Sequence, residues 1–233
     1  MAEILDATGD GRADAIGRAA HALRAGRVVV IPTDTVYGVA ADAFNPAGTG
    51  RIFTVKRRDR ALPLPVFVRS PKQLPGLTPH VPEAAERLMA AFWPGPLTLV
   101  LPTEVGLRWD LGDNDATVAV RMPLDDVALE VVRAVGPLAV TSANRSGEPP
   151  AETADAAADA LGDDVDVVLD DGPRRDLAPS TIVDLTRAAP VVLRVGDIDE
   201  GLVIAVANGT LDPLEAAAQF GAGSGDGDAP GEA

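Results

Sequence analysis

Hydrophobic positions follow two different spacings along this chain, and each spacing predicts one kind of element. Apolar residues at helical spacing, between capping and breaking residues, predict helices at about Arg12–Ala25, Pro46–Lys56, Pro82–Phe92, Asp125–Ala134 and Thr153–Leu161. Short β-rich runs predict strands at Val28–Ile31, Leu64–Val68, Leu97–Leu101, Thr117–Arg121, Leu138–Thr141, Val165–Leu169, Thr181–Leu185 and Val191–Val195. Because the two kinds of element interleave, the sequence predicts an α/β fold with a mixed sheet covered by helices.

The length and composition favour a single domain. The 233 residues, 46% of them hydrophobic, suffice for one large α/β domain or two small ones. Since no linker-like stretch interrupts the interior, we expect one domain over residues 10–205. A short helical extension is expected at 206–220, with its helix at about Leu211–Phe220. Residues 221–233 have almost nothing to bury and are expected to form a disordered acidic tail.

Charge and cysteine content exclude several classes of protein. The formal net charge of −15 argues against a broad nucleic-acid-binding surface, which needs clustered Lys and Arg. The absence of Cys excludes disulfides, thiol nucleophiles and thiolate metal sites, and the acids lack metal-ligand spacing. No apolar run approaches the roughly 20 residues of a membrane span, and no signal peptide is evident, which predicts a soluble cytoplasmic protein.

A loop rich in hydroxyl groups follows the first predicted strand. Residues Pro32–Gly38, of sequence PTDTVYG, come directly after the run Val28–Ile31. Ligands of open α/β sheets bind at the carboxyl ends of strands, so this loop is a candidate floor of a binding site. The alternative is simpler, because a strand that ends in small polar residues usually just enters a turn.

Positive charge is concentrated at the end of the helix predicted from Pro46. The chain has only two lysines, and one of them begins the run Lys56-Arg57-Arg58-Asp59-Arg60. Lys56 and Arg58 are candidate ligands of a phosphate group, since Arg offers a planar fork of donors and Lys a mobile point charge. The alternative is a set of cations favourably placed at a helix C-terminus, which requires no ligand.

Further segments place polar or cationic side chains beside strands. Thr141–Gly147 (TSANRSG) offers donors that suit oxyanions, although an Asx or Ser turn explains it equally well. Arg121 ends an alternating strand, either as an edge charge or as a clamp for a substrate carboxylate. Ser180 and Arg194 flank the last two strands, whereas Trp93–Thr98 is interpreted as a rigid turn. Together these segments describe a basin of hydroxyl, amide and guanidinium groups with no obvious catalytic dyad.

The order and spacing of these segments resemble those of the YrdC family of threonylcarbamoyl-AMP synthases. The matching segments are Pro32–Gly38, the K-x-R of Lys56 and Arg58, Trp93–Thr98, Thr117–Pro123, Thr141–Gly147, Pro179–Asp184 and Leu193–Gly196. The K-x-R, together with the S-x-N of Ser142 and Asn144, is the family's signature. The resemblance covers roughly residues 10–205 and implies a twisted α/β sheet around a large, positively lined concave cavity.

The resemblance also implies a reaction and the residues that serve it. L-threonine, bicarbonate (or CO₂) and ATP would give L-threonylcarbamoyl-AMP and pyrophosphate, the first step in forming N6-threonylcarbamoyladenosine at position 37 of tRNAs. Threonine would contact Thr35, Arg121 and Ser180. ATP or its phosphates would contact Lys56, Arg58, Thr117, Ser142, Asn144 and Arg194, with Lys56 and Arg58 as the catalytic cations. Mg²⁺ is expected on the triphosphate rather than on protein ligands. A downstream threonylcarbamoyl transferase is the expected partner, without tight binding of nucleic acid or a membrane.

This chain departs from many relatives just after the K-x-R. Where they carry Asn and then a His on the next strand, it has Leu62 and Phe67. Three other functions are alternatives to synthesis: a non-catalytic relative that binds nucleotide or RNA, a double-stranded-RNA-binding protein, and carbamoyl transfer as in hydrogenase-maturation proteins. The intact K-x-R and S-x-N favour synthesis over a non-catalytic relative. The net charge of −15 argues against binding of double-stranded RNA. Carbamoyl transfer would require neighbouring domains.

Overall fold

The computed structural model of the protein describes residues 2–174 and 178–223. Within these residues ten strands form one sheet. The strands are β1 (Glu3–Asp6), β2 (Val29–Ile31), β3 (Gly38–Asp42), β4 (Val66–Phe67), β5 (Leu97–Pro102), β6 (Thr117–Arg121), β7 (Leu138–Ser142), β8 (Val167–Asp170), β9 (Thr181–Asp184) and β10 (Val191–Arg194). Their order across the sheet is β1-β8-β2-β3-β7-β4-β6-β5-β9-β10.

The sheet is mixed, as the sequence predicts. The pairs β1/β8, β2/β8, β4/β6 and β5/β9 are parallel, whereas β2/β3, β3/β7, β4/β7, β5/β6 and β9/β10 are antiparallel. The long-range pairing of β3 with β7 sets Gly38 opposite Ser142 and Val39 opposite Thr141. This register brings the Pro32–Gly38 loop beside the segment that begins at Thr141.

Helices cover the two faces of the sheet unequally. The helices are α1 (Arg12–Arg24), α2 (Pro46–Lys56), α3 (Glu83–Phe92), α4 (Asp126–Val135), α5 (Ala154–Leu161), α6 (Glu200–Ala207) and α7 (Pro213–Gly223). Apolar residues of α2, α3, α5, α6 and α7 form one core with alternate strand residues such as Val120 and Val183. Residues of α1 and α4 form a second core on the opposite face, against strand residues such as Val29 and Val140. Because α1 and α4 cover only part of that face, the half formed by β4, β6, β5 and β9 is left for the site.

Local signals set the bounds of α2, whose C-terminus carries the K-x-R. The Asn45 side chain accepts a hydrogen bond from the Ala47 amide at 3.1 Å, and Pro46 occupies the first turn. Arg57 ends the helix in the left-handed conformation, with φ +52°. The reversal at Arg57 separates Lys56, which is buried, from Arg57 itself, which is exposed.

Most predicted elements are present, with ends that differ by one or two residues, but the sequence analysis missed β1, β3 and α6. β3 (GVAAD) is poor in β-branched residues and becomes a strand because β2 and β7 pair with it on both sides. Helix α7 ends at Gly223, three residues beyond the predicted helix, so the predicted tail does not begin at 221. Residues 224–233 lie outside the described residues. No helix in the described ranges has the length and hydropathy needed to cross a membrane.

Candidate functional site

A cavity of about 550 Å³ lies on the half of the sheet face that α1 and α4 leave uncovered. Its wall includes Phe67, Ala119, Ser142 and Ile182, which stand on four different strands. In β6 and β9, Ala119 and Ile182 alternate with the core residues Val118, Val120 and Val183, as the two-residue repeat of a strand requires. The Pro32–Gly38 loop follows the carboxyl end of β2, where we expected the floor of a site, and it lines the cavity through Thr33, Thr35, Val36 and Tyr37. From this edge the cavity extends across the face of the strands.

Three guanidinium groups, those of Arg58, Arg121 and Arg194, line this cavity. The described residues that line it include no Asp, Glu or His. Thr35, Ser142 and Ser180, among others, add hydroxyl groups. The expectation of a concave, positively lined cavity is therefore confirmed, and its chemistry suits an anionic ligand.

Arg121 is held in place from behind the cavity. Its side chain is only 6% exposed, and its Nε donates to the Gly95 carbonyl at 3.0 Å. Nη2 lies 2.7 Å from Asp34 Oδ1, and Nη1 lies 3.5 Å from the Thr35 hydroxyl. The guanidinium also lies over the Phe67 ring, 5.7 Å from its centroid. The turn before β5 thus anchors this Arg through a backbone carbonyl.

Ser180 lies at the centre of a second group of contacts. Its hydroxyl is 2.9 Å from that of Thr98, and it accepts from Arg194 Nη2 at 3.0 Å. Arg194 also donates twice to the Ser180 carbonyl, at 3.0 and 2.8 Å. Burial lowers the pKa of Arg194, and the nearby charge of Arg121 lowers it further. Gly196, just after β10, allows the backbone there to lie close to Pro179, because a Cβ at this position would lie 2.0 Å from the Pro179 carbonyl oxygen.

Lys56 joins the K-x-R to the S-x-N. Its ammonium donates to the carbonyls of Ser142 and Asn144, at 2.5 and 2.6 Å, and to Asn144 Oδ1 at 2.8 Å. Ser142 Oγ contacts the same Oδ1 at 2.6 Å, and Asn144 Nδ2 donates to the Glu148 carbonyl. Burial, and then the charge of Arg58, lower the pKa of Lys56 to about 8. Lys56 is 2% exposed and does not line the cavity. Its three donors hold the turn that presents Ser142.

Arg58, two residues further on, reaches the cavity itself. Its Nε donates to the Leu62 carbonyl at 2.8 Å and Nη2 to the Pro63 carbonyl at 3.2 Å. These contacts use backbone oxygens, so the Leu62 side chain, which is exposed, does not contribute to them. Burial lowers the pKa of Arg58, and its guanidinium, a planar fork of donors, lines the cavity.

The structure brings most of the predicted residues together. Thr35, Arg58, Arg121, Ser142, Ser180 and Arg194 all line the cavity, and Asn144 lies directly behind Ser142. Thr117 does not line it: its hydroxyl donates to the Asn114 carbonyl at 2.7 Å, at the start of β6. It shares a strand face with Ala119 and Arg121, which places it along the same face but further out.

Sequence reasoning missed several residues of the site. Thr98 and Phe67 line the cavity, although the first was interpreted as part of a rigid turn and the second only as a departure from relatives. Thr33 and Tyr37 also line it, and both lie in the loop that the sequence predicts as the floor. A usable signal for Thr98 was its position one residue into a strand after Pro-Gly-Pro, where alternation sets it opposite to the buried Leu97 and Leu99.

Comparison with known proteins identifies similar chains. The family model Sua5_yciO_yrdC, described as "Telomere recombination", matches residues 21–196. A Mycobacterium leprae protein, provisionally named threonylcarbamoyl-AMP synthase, is 49% identical over 199 residues, which cover 85% of this chain and 90% of that protein. A Mycobacterium tuberculosis protein with the same provisional name is 46% identical over 222 residues, covering 95% of this chain and all of the other.

A solved structure shares the fold and carries a ligand. The crystal structure of Pyrococcus abyssi Sua5 complexed with L-threonine superposes with a TM-score of 0.83 at 37% identity, over 87% of this chain. This chain spans 60% of the length of that archaeal protein.

Proposed function

Since the chain belongs to the Sua5/YciO/YrdC family, we propose that it makes L-threonylcarbamoyl-AMP from L-threonine, bicarbonate or CO₂, and ATP, with release of pyrophosphate. This product is the activated group for threonylcarbamoyladenosine in tRNA. The enzyme is a nucleotidyltransferase. The observation that carries the proposal is the cavity itself, in which the guanidinium groups of Arg58, Arg121 and Arg194 converge with several hydroxyls and no lining carboxylate among the described residues.

The chemistry of this cavity fits the joining of two anions. In the adenylation step a carboxylate oxygen of N-carboxy-threonine attacks the α-phosphorus of ATP, and the bond from that phosphorus to the oxygen shared with the β-phosphate breaks. The attacking group is already a carboxylate, so this step needs no protein base. Fixed cations offset the repulsion between the reactants and stabilise the charge that spreads over the phosphoryl oxygens. The remaining task is positioning, which a rigid sheet face performs well.

The amino-acid end of the substrate is assigned to Arg121, Thr35 and Ser180. Arg121 supplies a fork for the threonine carboxylate, and the hydroxyls of Thr35 and Ser180 supply partners for the threonine hydroxyl. The Pyrococcus abyssi relative binds L-threonine, which supports a threonine site in this fold. All three side chains line the cavity here and are 5–6% exposed.

The nucleotide end is assigned to Lys56, Arg58, Thr117, Ser142, Asn144 and Arg194. Arg58 and Arg194 provide charge at the cavity wall, and Ser142 provides a hydroxyl. Lys56 and Asn144 support Ser142 from behind, so their proposed contribution to ATP passes partly through that turn. Thr117 lies towards the outer end of the same strand face as Arg121, where a nucleoside would extend beyond the phosphates.

Mg²⁺ belongs to the substrate in this proposal. No group of three or more His, Asp or Glu side chains among the described residues could hold a metal ion, and no carboxylate among them lines the cavity. The residues present therefore do not fit a resident metal, and Mg²⁺ would enter on the triphosphate of ATP. A separate transferase would accept the threonylcarbamoyl group, and the cytoplasm, which holds ATP and tRNA, is the compartment we assign.

Release of pyrophosphate tests the proposed function directly. Purified protein is mixed with MgATP, bicarbonate and L-threonine, and pyrophosphate is measured with each component omitted in turn. We expect release only when all are present, together with a nucleotide product heavier than AMP by the threonylcarbamoyl group. Pyrophosphate that appears without threonine, or none with the complete mixture, contradicts the proposal and favours a relative that binds nucleotide without catalysis.

A further inference from the structure

At the edge of the cavity, two largely buried cations and two largely buried acids form two ion pairs. Arg121 Nη2 lies 2.7 Å from Asp34 Oδ1, and Arg174 Nη1 lies 3.0 Å from Asp125 Oδ2. All four side chains are largely buried, with exposures of 6, 9, 13 and 7% in that order. Arg121 lies in the matching segment Thr117–Pro123, whereas Arg174 lies outside all of the matching segments.

The two acids are linked through Arg174, whose Nη1 lies 3.0 Å from Asp125 Oδ2 and donates to the carbonyl of Thr33, the residue before Asp34. Burial raises the pKa of Asp125, and the charges of Asp171 and Asp34 add to that rise, while Arg174 opposes it. Neither oxygen of Asp34 has an aligned hydrogen-bond donor among the described residues, so its charge is balanced by proximity to Arg121 alone in that set. A second acid near Asp34 therefore needs its own cation, and Arg174 supplies it.

Arg174 also contacts the loop that forms the floor of the cavity. Its Nη1 donates to the Thr33 carbonyl at 3.4 Å, and its guanidinium lies 5.4 Å from the centroid of the Tyr37 ring. Tyr37 in turn donates to the Gly172 carbonyl at 2.7 Å. Thr33 and Tyr37 both line the cavity. A change at Arg174 can therefore reach the cavity through charge or through packing, and the test must separate the two.

We propose that Arg174 is a positioning residue for the amino-acid site: by neutralising Asp125, it leaves Asp34 to hold Arg121 in the orientation that receives the substrate carboxylate. Arg174 Nη2 also lies 3.3 Å from Asp171 Oδ2, but that carboxylate is 30% exposed, so water screens its charge. Without the charge of Arg174, the buried Asp125 would add its negative charge to that of Asp34 beside Arg121. That guanidinium would be drawn back from the cavity, and its field there would be weakened by the extra negative charge. The inference rests on the proposed function, because it concerns the carboxylate of threonine.

The decisive experiment compares single and double variants of the full chain. Arg174→Gln is expected to raise the KM for threonine about tenfold, with kcat and the KM for ATP within about twofold of the parent. Asp125→Asn removes the acid and keeps the cap of α4, where Asp125 now accepts from the Ala128 amide at 2.8 Å. The double variant Arg174→Gln/Asp125→Asn is expected to regain a threonine KM within about threefold of the parent.

Matched controls separate charge from packing. Arg187→Gln removes the same charge from an ion pair with Asp184 in which the guanidinium is 69% exposed, and it should leave the threonine KM unchanged. Arg174→Lys keeps the charge without the fork and should stay within about threefold of the parent. Circular dichroism checks that each variant folds. If Arg174→Gln does not fold, Arg174→Met, which is also neutral and keeps apolar packing on the Tyr37 ring, takes its place with the same expected rise in the threonine KM.

The outcomes distinguish this inference from the proposed function. An unchanged threonine KM in folded Arg174→Gln overturns the inference, and so does a raised KM that the double variant fails to restore, which would assign Arg174 to packing alone. Absence of synthesis by the unmodified protein instead contradicts the proposed function. In that case calorimetric titration of L-threonine into the same variants measures the positioning role without turnover.

Discussion

The Lys56 ammonium donates to both oxygens of Asn144, 88 residues further along the chain, at 2.6 Å to the backbone and 2.8 Å to the side chain. The third donor goes to the Ser142 carbonyl. The K-x-R and S-x-N motifs are therefore one hydrogen-bonded unit. A buried ammonium with three oxygen acceptors is a rigid support, since each acceptor would be left unpaired without it. Ser142, which faces the cavity, depends on this unit for its position.

Replacement of Lys56 by Met should abolish most activity while the protein still folds. Met fills a similar volume but leaves the two carbonyls and Asn144 Oδ1 without the ammonium, so the turn that presents Ser142 loosens. We expect kcat to fall by about 10²-fold or more, because the catalytic constellation depends on that turn. Steady-state pyrophosphate release measures the loss, and a thermal melt reports folding. A kcat near that of the parent would contradict the role given to Lys56.

Replacement of Arg58 by Gln tests the direct cation at the cavity wall. Losing one charge-assisted contact in a desolvated site costs on the order of 2–4 kcal/mol of transition-state stabilisation, so kcat should fall about 30- to 10³-fold. The neighbouring Arg57 provides the control, because it is exposed and Arg57→Gln should lower kcat only slightly. Equal losses in the two variants would instead indicate a simple cluster of helix-end charges. Pyrophosphate release and ATP binding are measured for both.

The lowered pKa of Lys56 predicts opposite pH dependences for activity and stability. As the pH rises through about 8, Lys56 loses a proton and one of its three donors, so activity should fall. Stability moves the other way, because the folded pKa lies below the ordinary value of 10.5 and the unfolded chain binds the proton more tightly between these values. Below pH 8 the buried charge of Lys56 lowers the free energy of unfolding, and this destabilisation disappears as the pH approaches 10.5.

Urea unfolding measures this stability difference. Relative to Lys56→Met, the parent should gain on the order of 3 kcal/mol in free energy of unfolding between pH 7 and pH 10.5. The comparison cancels the titration of other groups, since they are common to both proteins. A difference that stays constant over this range would show that Lys56 keeps its ordinary pKa.

Threonine should be preferred to serine and valine for different reasons. Loss of the methyl group costs only about 1–3 kcal/mol, so serine should react slowly, whereas valine leaves hydroxyl partners unpaired and should be rejected more strongly. Ser180→Ala should narrow the difference between threonine and valine, because it removes a hydroxyl that contacts Thr98 and Arg194 at the cavity wall. Thr54→Ala, which removes an exposed hydroxyl on α2, is the matched control. Equal rates for valine and threonine in the parent would contradict the placement of Thr35 and Ser180.

Synthesis should not require tRNA. The chain carries 20 basic and 35 acidic side chains, and within the basic run Arg60 is already paired with Asp110 and lies over the Phe53 ring. We expect pyrophosphate release without tRNA and a Kd for tRNA weaker than about 1 μM at physiological salt. Fluorescence titration at two salt concentrations measures the affinity. Tighter binding at physiological salt, or a strict requirement for tRNA, would assign this chain a direct part in handling the RNA.

Features with local causes were accessible from the sequence. The bounds of α2 follow from Asn45-Pro46 at its start, and β6 was predicted with the ends it has, Thr117–Arg121, because alternation and a following Met-Pro mark it. Six of the residues assigned through the family resemblance line the cavity. Each of these inferences uses residues that are neighbours in the chain or a motif that is contiguous, so it does not require the order of the strands.

Only the tertiary structure decided how those segments meet. β3 has weak intrinsic preference and exists because β2 and β7 flank it, and Thr98 faces the cavity because β5 lies between β6 and β9. The tertiary structure also decides that the Lys56 side chain points to the Ser142–Asn144 turn rather than into the cavity. It likewise decides that Arg174 pairs with Asp125. These contacts join residues 49 to 88 positions apart. A local pattern carries no information about such distances, because the strand order and register that determine them come from burying both faces of the sheet at once.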